Sequence, residues 1–290
     1  MSDLRRATER IEREEFARGH IGPNEQPAIP RPAATIVIAW SPPDDSPYRV
    51  LLLRRPTTSR FAAGAYVFAG GVIDDADGSP EALELLPAAL CETEGAAAVA
   101  ALREMFEETG FLPGDRPVDE QRAAVVRERL LAGECDFAAA ATTLGATFQD
   151  LRAVYLSRWV TPARFARRYD TRFFLTVLEA PEAPTPRLTD ELDGHVWISP
   201  AEAVRKFAAG ELPMLFPTRR TLQALSEEAD LAVLLEKLEG HEPEAVEPRL
   251  LVRGESVRPV LPGDPEYEEA GQSWRRSKAL PGSFPRTPDR

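Results

Sequence analysis

The chain has 290 residues, 43% of them apolar, and carries 35 Lys and Arg against 47 Asp and Glu, a formal net charge of −12. That length supports a substantial core in one elaborated domain, and the acidic balance argues against nucleic acid as a general partner, because phosphate backbones are held by basic surface. The two cysteines, Cys91 and Cys135, indicate neither a disulfide framework nor a zinc cluster, and no run approaches the ~18 apolar residues of a membrane span.

A charged segment from Ser2 to about Gly19 is expected to be helical and lacks the apolar core of a secretory signal, so the cytoplasm is the default location. A proline-rich connector, Pro23 to Pro32, follows. Ala33 to Trp40 and Tyr48 to Arg54 read as two strands around the Pro42-Pro43-Asp44-Asp45 turn. Ala65 to Phe68 is expected to be a short strand that delivers Gly70-Gly71 as a loop. The stretch from Asp74 to Glu94 is acidic, with a turn or two of helix within Ala82 to Leu90.

Gly95 to Leu102 is small and apolar, as a helix packed closely between layers requires, and it runs straight into Arg103-Glu104-Met105-Phe106-Glu107-Glu108-Thr109-Gly110-Phe111. At helical spacing Glu104, Glu107 and Glu108 fall within an arc of about 100°. Gly110 is placed as the left-handed residue just past the helix end. Three like charges so close call for a positive partner, and a hard divalent cation with oxygen ligands, Mg²⁺ or Mn²⁺, is the economical one. The bland alternative is a solvated acidic face, but Met105, Phe106 and the small-residue lead-in describe a buried helix with one acidic edge.

Pro113 to about Phe148 carries periodic apolar residues (Ala123, Val126, Leu130, then Phe137 to Leu144) that predict two small helices forming a cap. Strands are expected at Leu151 to Val160 and at Arg168 to Leu178. In the second of these, Arg168, Asp170 and Arg172 share one face, as a ligand-facing or cap-facing wall or as a charge-protected edge. Thr189 to Ile198 gives a turn and a strand, and Ser199-Pro200 caps a helix from Ala201 to about Ala209. Thr218 to Leu225 and Ala229 to Glu239 read as further helices, and 249 to 260 as a strand-like run before a loose tail. Phe216-Pro217-Thr218 is either a wall at the acyl or nucleobase end of a pocket or a simple helix entry. His20, His195 and His241 are scattered and read as surface or structural residues.

Residues 103 to 111 resemble the second half of the Nudix hydrolase signature, G-x5-E-x7-R-E-U-x-E-E-x-G-U with U a bulky apolar residue, at every specified position: Arg103, Glu104, Met105, Glu107, Glu108, Gly110 and Phe111. From Gly71 the pattern reaches its arginine at position 85, so an insertion of 18 residues separates the halves. Counting back eight from Arg103 gives Gly95 where the pattern has Glu. The role falls to Glu94, to one of Asp74, Asp75 and Asp77, or to nothing. Upstream, Leu51 to Gly71 is similar to the extra motif of the coenzyme A diphosphatase branch, L-L-T-x-R-(S/A)-x3-R-x3-G-x3-F-P-G-G. Arg55, Arg60, Gly64, Phe68, Gly70 and Gly71 are in register, while Leu53, Pro56 and Ala69 differ.

The resemblance implies an α/β fold, a Nudix-type α/β/α sandwich with a mixed sheet and a small helical cap insertion. It divides the chain into residues 1–32 (helix and connector), 33–210 (hydrolase, with insertions at about 74–94 and 113–148) and 211–290 (helical extension and tail). The implied activity is metal-dependent cleavage of a diphosphate to two monophosphates, with coenzyme A or an acyl derivative as the leading small-molecule substrate. NADH, ADP-ribose or another nucleoside diphosphate derivative is the enzymatic alternative, and a catalytically silent nucleotide sensor the other. Glu104, Glu107 and Glu108 would hold the metal, with Glu104 alternatively the base. Arg103 would orient a carboxylate, and Glu191 would add an acid. Arg55, Arg60 and Arg172 would grip phosphate, and Gly70 and Gly71 would let backbone approach it. No membrane partner is expected, and a homodimer is one of the assemblies left open.

Overall fold

The computed structural model describes residues 26–44, 46–59, 62–113, 118–253 and 256–270. Several expectations fall outside them: the segment Ser2 to Gly19, His20, Arg60 and the tail beyond 270.

The sheet is built around β1, Arg31–Trp40. Ala34, Ile36 and Ile38 face one side and Val37 and Ala39 the other, all at most 1% exposed. A strand apolar on both faces has to be covered twice. Along one edge of β1 runs β6 (Tyr169–Val177), parallel, then β5 (Ala153–Val160), antiparallel, then the short β8 (Ala245–Val246). The other edge is shared. The end of β1 pairs with β2 (Arg49–Arg54), which carries β3 (Tyr66–Val67) and β7 (Gly194–Ile198), and the first half pairs with β4 (Ala69–Val72). These make a mixed sheet of eight strands.

The first face is covered by α1 (Ala88–Thr109), whose Leu102, Met105 and Phe106 are buried against Ile36 and Ile38. Two further helices, α2 (Glu120–Leu131) and α3 (Phe137–Leu144), extend this layer through Val126, Leu130, Phe137 and Ala141. Each starts on an aspartate that accepts a backbone N–H at 2.8 Å, Asp119 from Arg122 and Asp136 from Ala139. The second face is covered by α4 (Pro200–Ala208), α5 (Phe216–Leu225) and α6 (Leu231–Leu238). Ser199 and Pro200 start α4 as expected, the hydroxyl accepting from Glu202 N–H at 3.3 Å. The arrangement is an α/β/α sandwich. Beyond residue 210 the chain adds α5, α6 and β8 to it. No described helix is long and apolar enough to cross a membrane.

Three local features differ from the sequence reading. Gly70 and Gly71 lie in β4 rather than in a loop, opposite Thr35 and Ala34. A Cβ on Gly70 would stand 2.6 Å from the Ala34 carbonyl oxygen, which only glycine avoids, and one on Gly71 would stand 2.2 Å from Glu104 Oε1, so that carboxylate would have to move. The helix bearing the acids is long, and non-helical dihedrals at Glu94 (φ −147°, ψ 43°) mark where the inserted chain bends into it. Residues 249–260 form a separate hairpin, β9 (Arg249–Arg253) with β10 (Ser256–Val260), around the small cluster Leu251, Val260 and Ala270.

Candidate active site

The acidic edge of α1 lies over β4, and it is organised by Arg103, which is only 7% exposed. Its Nε donates to Asp77 Oδ1 at 3.0 Å and its Nη2 to Asp77 Oδ2 at 3.1 Å, a two-pronged carboxylate grip. Nη2 also donates to the Val72 carbonyl at 2.8 Å. Nη1 donates to Glu104 Oε1 at 2.8 Å and to Glu107 Oε2 at 3.0 Å. Burial opposes the Arg103 charge, yet Asp77, Glu104 and Glu107 outweigh it and raise its pKa.

Of the candidates for the pattern's upstream Glu, Asp77 is the one that Arg103 grips with two hydrogen bonds. Read from the other end the spacing is regular: Asp77 stands six residues after Gly71, as the pattern's Glu stands after its Gly. The inserted residues fall between Asp77 and Arg103. Asp77 is fixed in turn, its Oδ2 accepting from Asp74 N–H at 2.8 Å and its own N–H donating to Asp74 O at 3.0 Å. Glu94 is engaged elsewhere, accepting from Arg172 Nε at 3.0 Å.

The three glutamates differ in surroundings. Burial pushes Glu104 up to about 7, against the pull of Arg103 beside it. Glu107 is raised as well, by burial first, with Arg103 opposing. Glu108 is pushed well above the usual carboxylate range by burial and then by Glu104, while Arg55 and the Gly70 N–H hold it down and Glu191 adds to the rise. Arg55 and Glu191 are thus close enough to act on Glu108. The Glu191 turn is anchored by Asp193 N–H donating to Arg54 O at 2.9 Å and by the Arg54 Nε to Asp193 Oδ1 contact at 2.6 Å.

The helix end carries the predicted glycine: Gly110 has φ 75°, and its N–H donates to Phe106 O at 2.9 Å. Arg103, Glu104, Glu107, Glu108, Gly70, Gly71, Arg55 and Glu191 are brought to one region. Arg172 is not. It lies beside Ala34 in β6, on the far side of β1 from Gly71, and its guanidinium is taken by Glu94 and Asp170. Phe216 packs edge-on against Trp159 within the second layer, 5.9 Å between centroids. A contributor the sequence reading missed is Arg127 of α2, whose guanidinium donates to backbone carbonyls at the end of α1. Carbonyl partners leave no pattern of side-chain letters by which it could have been found.

Among the described residues no three acidic, His or Cys side chains already converge as a metal cage. Arg103 draws Glu104 and Glu107 to itself, while Glu108 faces Gly70 and Arg55. The donor set nevertheless suits a hard divalent cation. All three offer carboxylate oxygens, and Glu108 Oε2 is buried without a hydrogen-bond partner, which is costly for a group with nothing to bind.

No family model matches the chain. It is 30% identical to the acyl-coenzyme A diphosphatase NUDT19 of Homo sapiens, over 82% of this chain and 80% of that protein. The protein of the same name from Gallus gallus matches at 30% identity over the same shares. Among solved structures, the crystal structure of a NUDIX hydrolase from Alicyclobacillus acidocaldarius is 30% identical and superposes with a TM-score of 0.61, covering 73% of this chain and 97% of that one.

Proposed function

The chain belongs to the Nudix hydrolases, and we propose that it cleaves the diphosphate linkage of coenzyme A or an acyl-coenzyme A to two monophosphates. The observation that carries this reading is the Arg103 fork. One buried guanidinium orders Asp77, Glu104 and Glu107 against the glycines of β4, with Arg55 and Glu191 facing the neighbouring Glu108. The names of the human and chicken relatives support the substrate class, as do Arg55, Phe68, Gly70 and Gly71 in register with the coenzyme A motif.

Nudix hydrolases generally use divalent metal ions. We assign Mg²⁺ to this one, with Mn²⁺ as the alternative, and Glu107, Glu108 and Glu104 as the residues that would hold it. Such an ion neutralises charge gathering on phosphoryl oxygens and acidifies the attacking water. The rest falls to the protein. Water attacks phosphorus, the bridging P–O bond breaks, and one monophosphate leaves as the other forms. Where it does not ligate the ion, Glu104 takes the water's proton, held in place by the hydrogen bond from Arg103 Nη1. Arg55 binds the diphosphate, and Gly70 and Gly71 leave room for it beside the sheet. Arg103 orients Glu104 and Glu107. We take residues 33–210 as the catalytic unit, since every one of these groups falls within it.

The test is purified protein with Mg²⁺ or Mn²⁺ and a panel of coenzyme A, an acyl-coenzyme A, NADH and ADP-ribose. Release of 3′,5′-ADP with phosphopantetheine or its acyl form, faster than NADH or ADP-ribose is split, is the expected result. Preference for either dinucleotide would replace the substrate, and tight binding of one compound without hydrolysis of any would replace the enzyme with a sensor.

A further inference from the structure

A helix leaves its last four carbonyls without partners inside the helix. In α1 these belong to Phe106, Glu107, Glu108 and Thr109, the turn that carries two of the site's carboxylates. Phe106 O is taken by Gly110 N–H, and Thr109 O accepts from Arg187 N–H at 2.8 Å. Glu107 O is satisfied from α2. Arg127 of α2 donates through Nε to Glu107 O at 3.0 Å and to Phe106 O at 2.8 Å, and through Nη2 to Glu107 O again. The same Nη2 donates to Arg187 O at 2.7 Å.

One guanidinium therefore joins three segments: α2, the last turn of the acidic helix, and the chain that reaches Glu191 four residues after Arg187. A cation at a helix C-terminus also complements the helix dipole. The join matters to the site because the last turn of α1 carries the carboxylates of Glu107 and Glu108, and the chain tied to that turn through Arg187 leads to the carboxylate of Glu191. Like charges drift apart unless the backbone beneath them is fixed.

We propose that Arg127 is a positioning residue: it holds Glu107 and Glu108 in register with Glu191, and through it α2 and α3 set the geometry of the metal-binding edge. This rests on the hydrolase reading above. Lysine at this position keeps the charge but loses the planar fork that reaches two carbonyls of α1 and Arg187 O together.

The test uses the full chain as wild type, Arg127→Ala, Arg127→Lys and, as a control on the same helix, Arg129→Ala, whose side chain pairs with exposed Glu134. Mg²⁺ affinity is measured by calorimetry without substrate, alongside kcat, KM and thermal unfolding. Arg127→Ala is expected to weaken Mg²⁺ binding and lower kcat, each at least tenfold, with KM changed less than threefold. Arg127→Lys should recover part of both. Low-millimolar guanidinium chloride should restore Arg127→Ala where sodium chloride does not, a response that lost packing alone would not give. Arg129→Ala should match wild type. If Arg127→Ala does not fold, Arg127→Lys decides by the same affinity and kcat measurements. Mg²⁺ affinity and kcat within twofold of wild type in a folded Arg127 variant would overturn the proposal. Wild type that splits no diphosphate overturns the hydrolase reading instead, and this inference with it.

Discussion

Asp77 and Arg103 stand 26 positions apart and meet through two parallel hydrogen bonds with both side chains almost sealed from water. Removing one member of a buried ion pair leaves a charge with no adequate partner, at a cost of about 3–5 kcal/mol. Asp77→Asn keeps the shape and one acceptor, so the expected loss is on the order of 2–3 kcal/mol in denaturant unfolding. Turnover should also fall, because Arg103 is then drawn wholly onto Glu104 and Glu107. A variant within 0.5 kcal/mol of wild type, about the error of such a measurement, would remove Asp77 from this role.

Glu107→Gln and Glu108→Gln should each lower kcat by at least about a hundredfold while leaving the fold intact. Glu108→Gln is expected in addition to stabilise the metal-free protein by about 1 kcal/mol, because a neutral amide removes a buried group whose ionisation the fold opposes. Thermal unfolding in EDTA checks the second point independently of activity.

The raised pKa values give a pH dependence with a definite sign. Glu104 titrates near 7 in the fold against 4.5 as its reference, so between these values the native state holds the proton that the unfolded chain has released. The metal-free protein should then lose stability as pH rises from about 4.5 to about 7, by up to ~1.4 kcal/mol per pH unit for each such group. Glu107 and Glu108, both raised, act in the same direction. The gain in Tm on adding Mg²⁺ should grow over the same window, since the metal competes with protons for these oxygens. A flat Tm in EDTA between pH 5 and 8, the range spanning that window, would contradict this.

Much of this arrangement is legible in the letters, and the reasons are local. Glu104, Glu107, Glu108 and Gly110 are fixed by helical period and by the backbone demand at a helix end, both readable within ten residues. The strands of the sheet announce themselves by alternation or by continuous apolar runs. Asp77 was one of several candidates because an 18-residue insertion breaks the register when it is counted from Arg103. Gly70-Gly71 looks like a loop because nothing in two glycines says that a neighbouring strand and a glutamate need the space. Arg172 reads as a pocket residue, but its partner Glu94 is supplied by the inserted segment, whose path no periodicity specifies.

The two glycines should separate stability from catalysis. In Gly70→Ala the new methyl meets backbone, 2.6 Å from Ala34 O and 2.9 Å from Thr35 Cα, so the strands must part and the cost should exceed ~2 kcal/mol. In Gly71→Ala it meets only the Glu104 carboxylate, which can swing aside. That variant should fold nearly as well as wild type and lose at least about tenfold in kcat. Unfolding curves and steady-state rates on the pair test the contrast.

The Asp77–Arg103 contact has one more consequence, for how such a chain can change over time. The inserted residues leave the common framework after Asp77 and rejoin it at about Ala96, where the buried run of α1 leads into Arg103, and Asp77 and Arg103 are clasped together at the site itself. What lies between is a closed excursion. Its length adds only slowly to the entropy of closing it, and the clasp keeps such changes from reaching Glu104. Insertions or deletions there would be judged by whether Leu85, Leu86 and Leu90 can still be buried, and the chemistry would not register them.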